Sequence, residues 1–405
     1  MKKAVFLFLP VMDFGGQETF VSRLSAMLCE KYEVYVVLLN GEVINYPVFG
    51  TILDMNIKTQ YTSSYIQKIK GTLIRCHHLR RFLRQYQPIA CVSFGLGPNL
   101  ISLLCKEKGI RMLPSIRGYA TAERIVKNRL FRLLFRRADK VICVSHGIEA
   151  LLREKIPAIA EKTEVLYNGY DCAQISSHAH EELPEGYDDG KMPKLVSVGA
   201  CRPEKGYWHL IKAVSLLRKD YPDIQLTIVG ADYQDNKASL QALTRRLGLE
   251  DTVRFADFCS NPHAYTAHAD VYVLSSVREG FPNALAEAMA CGVPVVAADC
   301  PTGPREILSK KSYETVAAEI EQAEYGILVP RLTQTPDYST KILPEEEVLA
   351  QAIDCYLKDP ELRAAYGAKA AARAQEFSYD VCAQRFSAIL EGSALSVQRN
   401  AIAHI

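Results

Sequence analysis

Short apolar runs alternate along the chain with longer stretches whose apolar residues recur every three or four positions. "AVFLFL", "EVYVVLL", "IACVSF", "RMLPSI" and "KVICVS" are of the first kind, and "QETFVSRLSAMLC" is of the second. Strands of a parallel sheet are covered on both faces and so read as unbroken apolar runs, whereas a period near 3.6 marks a helix packed on one side. The alternation predicts parallel strands with helices on both faces. The opening "MKKAVFLFLPVM" has the lysines and short apolar run of a secretion signal but no small-residue cleavage site, and it is read as the first buried strand. Near Asp171 the rhythm breaks into "DCAQISSHAHEELPEGYDDGKMP", which is expected to be a linker. It restarts with "KLVSVG", "IQLTIVG", "DVYVLSS", "VPVVAAD" and "YGILVP", and "FSYDVCAQRFSAILEGSAL" follows as an amphipathic helix beyond the last strand. The expected organisation is a Rossmann-like domain over 1–170, a linker over 171–193, a second Rossmann-like domain over 194–375, and a crossover helix and tail over 376–405. Two doubly wound sheets of this kind are expected to face a cleft, with ligands at the carboxyl ends of the strands.

Length and composition fit this picture. At 405 residues, 48% hydrophobic and a formal net charge of +2, the chain is too long for one ordinary core and balanced enough to fold in water. The charge is unevenly placed. Residues 1–170 hold 25 Lys+Arg against 13 Asp+Glu, and the remainder holds 23 against 33. The twelve cysteines are scattered without a C-x-x-C and several sit inside apolar runs, so they read as small buried hydrophobes of a reducing cytoplasm. No run approaches the roughly 20 apolar residues that span a bilayer. The histidines show no metal spacing, His77 and His78 being adjacent, and no G-x-S-x-G supports a nucleophilic serine. "FGLGPNL" around Gly95 and Gly97 lacks the third glycine of a dinucleotide fingerprint.

The stretch with the most chemistry is "EGFPNALAEAMACG", Glu279 to Gly292. Pro282 suits the first position of a helix, which would start near Asn283 and offer unpaired amides and a partial positive charge to an anion. Glu279 precedes that helix and Glu287 lies inside it, about 12 Å away if all the intervening residues were helical. That is too far for the carboxylate pair of a glycosidase, roughly 5–9.5 Å apart, but it matches the ribose-to-hexose span of a nucleotide sugar. Each acid would accept hydrogen bonds from sugar hydroxyls, with the phosphates over the helix end.

The longer phrase "SSVREGFPNALAEAMACGVPVVAADCPTGPREIL" resembles the donor-site signature of retaining family 4 glycosyltransferases with the GT-B fold. "GGQE", "VSHGI", "YNGYD", "VSVGACRPEKG" and "YGILVP" extend the resemblance over most of the chain. It implies that Glu279 contacts the donor hexose near its reacting face and that Glu287 holds the ribose hydroxyls. It further implies that Gly280, Phe281, Asn283 and Ala284 present amides along the sugar and diphosphate, with Phe258 and Cys259 in the same donor-binding set. Gly15 and Gly16 in "FGGQE" would let the backbone approach a phosphate or acceptor closely.

A departing diphosphate needs either a metal or cationic side chains. The chain has no Asp-x-Asp, and the adjacent Asp188 and Asp189 fall in the expected linker, so no metal is expected. "RPEKG" instead places Arg202 and Lys205 just after a strand, and with Glu279 they form the expected catalytic set. Two departures from the family pattern stand out. Ala200 occupies the place where the arginine usually sits, and "PSIRGYA" stands where a histidine often meets the donor sugar, leaving Ser115 and Arg117 as candidates for that role.

Two basic stretches, "IKGTLIRCHHLRRFLRQ" and "AERIVKNRLFRLLFRRADK", interleave arginines such as Arg132, Arg136 and Arg137 with Leu130, Phe131, Leu134 and Phe135. Helices of this composition lie on anionic membrane surfaces, although an ordinary solvated face has the same pattern. No nucleic-acid motif is present. The expected function is retaining transfer of a hexose or N-acetylhexosamine from a nucleotide-diphosphate sugar, a UDP-sugar above all, to a glycan or lipid-linked glycan. The setting would be capsule or lipopolysaccharide synthesis at the cytoplasmic face of the membrane, without a metal or other cofactor. The resemblance also leaves open a nucleotide-sugar isomerase (epimerase), which would need no acceptor, and a catalytically silent sugar-nucleotide-binding protein, against which the intact acids, lysine and glycines argue.

Overall fold

The computed structural model describes residues 2–13, 15–57, 65–183, 190, 192–311 and 315–392. The chain divides into two compact units. The first runs to Gly169 and takes the chain up again from Tyr379; the second runs from Tyr170 to Ser378.

The first unit contains, in chain order, β1 (Lys3–Leu9), α1 (Gly16–Cys29), β2 (Tyr32–Leu38), β3 (Thr51–Asp54), α2 (Tyr65–Tyr86), β4 (Ala90–Phe94), α3 (Leu96–Leu104), β5 (Arg111–Ile116), α4 (Tyr119–Lys127), α5 (Arg129–Phe135), β6 (Val141–Cys143), α6 (His146–Lys155) and β7 (Thr163–Val165). Its seven strands lie in the order β3-β2-β1-β4-β5-β6-β7, all parallel. Five of the seven residues of β1 are buried, and so are all of β4, as unbroken apolar runs require. The basic stretch from Ala122 to Lys140, expected to be helical, is divided between two helices. Asn128 ends α4 and caps α5, its side chain accepting from the amides of Leu130 at 2.9 Å and Phe131 at 3.2 Å.

The second unit contains α7 (Cys172–Ala179), β8 (Lys194–Val198), α8 (Tyr207–Leu217), β9 (Gln225–Val229), α9 (Asn236–Arg246), β10 (Val253–Ala256), α10 (Pro262–Ala267), β11 (Val271–Leu274), α11 (Asn283–Ala290), β12 (Val295–Ala298), α12 (Pro304–Leu308), β13 (Glu321–Gln322), β14 (Ile327–Val329), α13 (Pro344–Lys358) and α14 (Pro360–Ala374). The order is β10-β9-β8-β11-β12-β14-β13, parallel except where β13 meets β14. The polar stretch expected as a linker begins instead with a helix of this unit. Asp171 accepts from the amide of Gln174 at 2.9 Å to cap α7, whose Cys172, Ile175 and Ala179 are buried. Asp188 and Asp189 lie outside the described residues.

The last described helix, α15 (Tyr379–Glu391), belongs to the first unit. Its Cys382, Phe386, Ile389 and Leu390 join the core formed by β1, β2 and α1. Arg111 donates to the carbonyls of Ile389 and Leu390, both at 2.7 Å, so the guanidinium satisfies the orphan acceptors of the helix end.

Candidate active site

The strand order reverses direction between β1 and β4 in the first sheet and, apart from the edge pair β14-β13, between β8 and β11 in the second. Connections diverge at such a point, which opens a crevice at the carboxyl ends of the strands. Lys205 follows β8 and Glu279 follows β11, so the residues on either side of the second switch point come together. Lys205 Nζ donates to Glu279 Oε1 at 2.7 Å.

The backbone that carries Lys205 is a one-turn 3-10 segment, Pro203–Lys205, ended by Gly206 in the left-handed region at φ 60°. A Cβ at Gly206 would stand 2.2 Å from the Ser275 carbonyl oxygen, so both the torsion and the close approach require glycine. Ser275 Oγ donates to the Lys205 carbonyl at 3.0 Å, and the Val277 amide donates to the Glu204 carbonyl at 2.9 Å. The turn after β8 is thus bonded to the turn after β11. Beneath them, burial pushes the Tyr207 phenol well up, and its neutral hydroxyl donates to the Gly199 carbonyl at 2.9 Å.

Glu279 is held from three sides. Besides Lys205, Ser276 Oγ donates to its Oε1 at 2.7 Å, and Thr302 Oγ1 donates to its carbonyl. Gly280 and Phe281 are buried, and the Phe281 ring packs edge-on against Phe377 at 5.5 Å, so its side chain anchors the loop. Pro282 is the N-cap of α11 and not its first helical residue. Leu285 donates back to the Pro282 carbonyl at 3.1 Å, so the helix opens at Asn283 and Ala284, whose amides lie in its first turn. The Asn283 side chain is fixed by Tyr170, whose hydroxyl donates to Oδ1 at 2.8 Å. Glu287 is half-buried on the second turn.

Gly303, at φ 98°, lets the loop after β12 pass under this segment; a Cβ there would lie 2.5 Å from Pro282 Cδ. The buried Arg305 clamps the same loop, donating from Nε and a terminal nitrogen to Asp299 Oδ2 at 2.8 and 2.6 Å and reaching Glu321 at 2.9 Å. Ser276, Thr302, Tyr170 and this clamp were not singled out from the sequence. Ser276 and Thr302 stand inside the quoted signature, so their proximity to Glu279 in the chain was the available signal. Tyr170 stands inside the quoted "YNGYD", but its partner Asn283 was not legible, because the contact spans 113 residues.

Other expected residues are placed differently. Arg202 is exposed and stacks on the Tyr233 ring at 4.2 Å, where Lys205 alone meets Glu279. Phe258 and Cys259 lie in the loop after β10, Phe258 being exposed. In the first unit Gly15 caps α1, and its carbonyl accepts from Thr19 Oγ1 at 2.9 Å; Gly16 is the first helical residue. The two glycines follow β1, beside the first sheet's switch point. Of the two candidates near β5, Arg117 is occupied, lying 3.8 Å from the Phe20 ring and donating to the Leu166 carbonyl at 3.0 Å and to Asn168. Ser115 is buried with no partner for its hydroxyl.

Among the described residues, His209, Glu345 and Glu346 have the composition of a metal site. Their atoms are already engaged: His209 Nδ1 meets Glu346 at 2.8 Å, His209 Nε2 faces the Thr333 carbonyl at 3.0 Å, and Lys212 lies 3.8 Å from Glu346. The group tethers α8 to the start of α13. At the switch point, by contrast, a cation, a carboxylate and first-turn amides are gathered in a form suited to a phosphorylated ligand.

Comparison with known proteins bears on the family and the fold. Residues 14–174 match the model of Glycosyltransferase Family 4, and residues 181–325 match that of Glycosyl transferases group 1. The N-acetylgalactosamine-N,N'-diacetylbacillosaminyl-diphospho-undecaprenol 4-alpha-N-acetylgalactosaminyltransferase of Campylobacter jejuni is 27% identical over 92% of this chain and 94% of its own length. The amylovoran biosynthesis glycosyltransferase AmsD of Erwinia amylovora is 24% identical over 77% of this chain and 85% of its own. Among solved structures, Anabaena HepE in complex with UDP superposes with a TM-score of 0.75 at 20% identity, covering 96% of this chain and all of HepE. WaaG, a glycosyltransferase involved in lipopolysaccharide biosynthesis, does so at 0.68 and 18%, over 96% of this chain and all of its own. The chain carries a glycosyltransferase family 4 domain followed by a glycosyl transferases group 1 domain, and it is a glycosyltransferase with the GT-B fold.

Proposed function

We propose that this glycosyltransferase moves a hexose or N-acetylhexosamine from a UDP-sugar to a glycan or lipid-linked glycan in surface polysaccharide synthesis, with retention at the anomeric carbon and without a metal. The reading is carried by the Lys205–Glu279 pair at the second switch point, 2.7 Å apart beside the start of α11. In the transfer, the bond from the anomeric carbon to the diphosphate oxygen breaks and the nucleoside diphosphate takes the electron pair. The acceptor oxygen forms the new bond and gives up its proton to the departing phosphate. Charge therefore builds on the leaving phosphate, and a preorganised cation with helix amides stabilises it. Lys205 is assigned that task, and Glu279 holds the ammonium and meets the hexose. Glu287, on the second turn of α11, receives the ribose hydroxyls.

Retention follows the family resemblance. The choice of UDP is supported by the HepE complex, and a lipid-linked acceptor by the name of the Campylobacter relative. Among the described residues no helix is long and apolar enough to cross a membrane. With the basic first unit, this supports peripheral attachment at the cytoplasmic face. Thermal unfolding against a panel of UDP-, GDP- and ADP-sugars tests the donor assignment: a UDP-sugar raises Tm through linkage. A shift with GDP- or ADP-sugars alone overturns the choice of base, and turnover of a UDP-sugar to an isomer with no acceptor present overturns transfer.

A further inference from the structure

We propose that the hollow between α5 and the turn following α6 binds the phosphate headgroup of an anionic lipid. The proposal rests on the peripheral reading above and gives it a defined point of attachment. The hollow has a volume of about 630 Å³. Arg129, Arg132 and Arg136 supply one wall, spaced so that three guanidiniums fall on one side of a short helix. Lys155 and the apolar Ile156–Ala158 turn supply the other.

Two observations point to a lipid phosphate. The first is uncompensated charge. Among the described residues no acid pairs with Arg129, Arg132 or Arg136, and Lys155 meets only its neighbour Glu154, at 2.6 Å. Some basic side chains elsewhere on this unit are paired, as Lys106 is with Asp139 and Lys140 with Glu164, both at 2.7 Å. Converging guanidiniums match the geometry of a phosphate, to which each can donate twice. The second is apolar. Leu130 and Leu133 rim the same hollow and are 60% and 56% exposed. They correct the apolar set expected from the sequence, since Phe135 is fully buried in the unit's core and serves the fold. A free phosphate would leave both leucines in water, whereas a lipid offers them its acyl boundary as its headgroup enters the hollow.

The hollow separates two adjacent residues of equal charge. Arg136 lines it, and Arg137 does not. Attraction by diffuse charge would treat them alike; a built site does not. Full-length wild type, Arg136→Gln, Lys155→Gln, Leu133→Ser and Arg137→Gln are sedimented at low salt with vesicles of phosphatidylcholine, with and without phosphatidylglycerol, after matched thermal unfolding shows that each variant is folded. The expected result is binding only with phosphatidylglycerol, weakened about fivefold by the Arg136 and Lys155 changes, visibly weakened by Leu133→Ser, and changed less than about twofold by Arg137→Gln. Equal losses for Arg136→Gln and Arg137→Gln overturn the hollow while leaving peripheral attachment standing. Wild type that ignores phosphatidylglycerol vesicles overturns both. Displacement from vesicles by an equal concentration of soluble glycerol phosphate overturns the lipid as occupant, since the acyl boundary would then add nothing.

Discussion

Lys205 and Glu279 face each other at 2.7 Å with side chains 23% and 12% exposed, so removing either leaves the other partly desolvated and without its counter-charge. Lys205→Ala is expected to cost about 2–4 kcal/mol of transition-state stabilisation, as the loss of a preorganised electrostatic contact does. Glu279→Ala should also act mainly on kcat, because the ammonium it orients is then free to wander. Since the two act as a unit, the double variant should lose less than the two singles together, with a coupling of about 0.5–3 kcal/mol. Steady-state rates of the four forms measure this, and strictly additive losses would separate the two residues. Glu287→Ala should instead raise KM with little change in kcat, because ribose contacts are equal in the ground and transition states. Arg202, stacked on Tyr233, should tolerate Arg202→Lys with near-normal kcat; a loss as large as that of Lys205→Ala would return it to the catalytic set.

Between residues and the fold stand the turns that hold the pair in place. Gly206 combines a left-handed torsion with a 2.2 Å approach to the Ser275 carbonyl, so Gly206→Ala should cost about 1–3 kcal/mol of stability and displace Lys205 as well. Urea unfolding together with kcat reads both effects, and a variant with wild-type values for each would show that the turn has slack. The segment between β14 and α13 gives a pH signature. The Lys212 ammonium, fully buried, holds the half-exposed Asp337 carboxyl down to about 2, below its ordinary value of 3.8. A group depressed in the folded state contributes stability above its unfolded pKa and loses it as the pH falls through the folded one. Asp337→Asn should therefore lower Tm at neutral pH, with the difference from wild type closing between about pH 4 and pH 2. A difference that stays constant down to pH 2 would show that the Lys212 pair is not its source.

For the molecule as a whole, the absence of Asp-x-Asp and the engagement of His209 and Glu346 with each other lead to one expectation about metals. Transfer should survive EDTA. Loss of turnover restored by Mg²⁺ or Mn²⁺ would mean that a cation, and not Lys205, absorbs the leaving-group charge.

The alternation of apolar runs with amphipathic stretches was enough to read two parallel α/β units, because burial on both faces leaves an unbroken apolar imprint in each strand. The donor-site phrase and Lys205 were legible for a related reason: they sit in short turns directly after strands, where torsion and chemistry are written into neighbouring residues. What depended on contacts between distant parts of the chain was not legible. The bond from Tyr170 to Asn283 and the helix formed by the supposed linker each need a partner far along the chain, whereas the crossing back of α15 was expected from an amphipathic helix placed beyond the last strand. Arg202 and Lys205 stood in one expected catalytic set, Arg202 shifted from the family's usual place, and only the fold set one on Tyr233 and the other on Glu279. Likewise Phe135 and Leu133 are both apolar residues among arginines, and the tertiary structure alone decided which enters the core and which meets the outside, since a helix has one buried side and the neighbouring α3 and α4 choose that side.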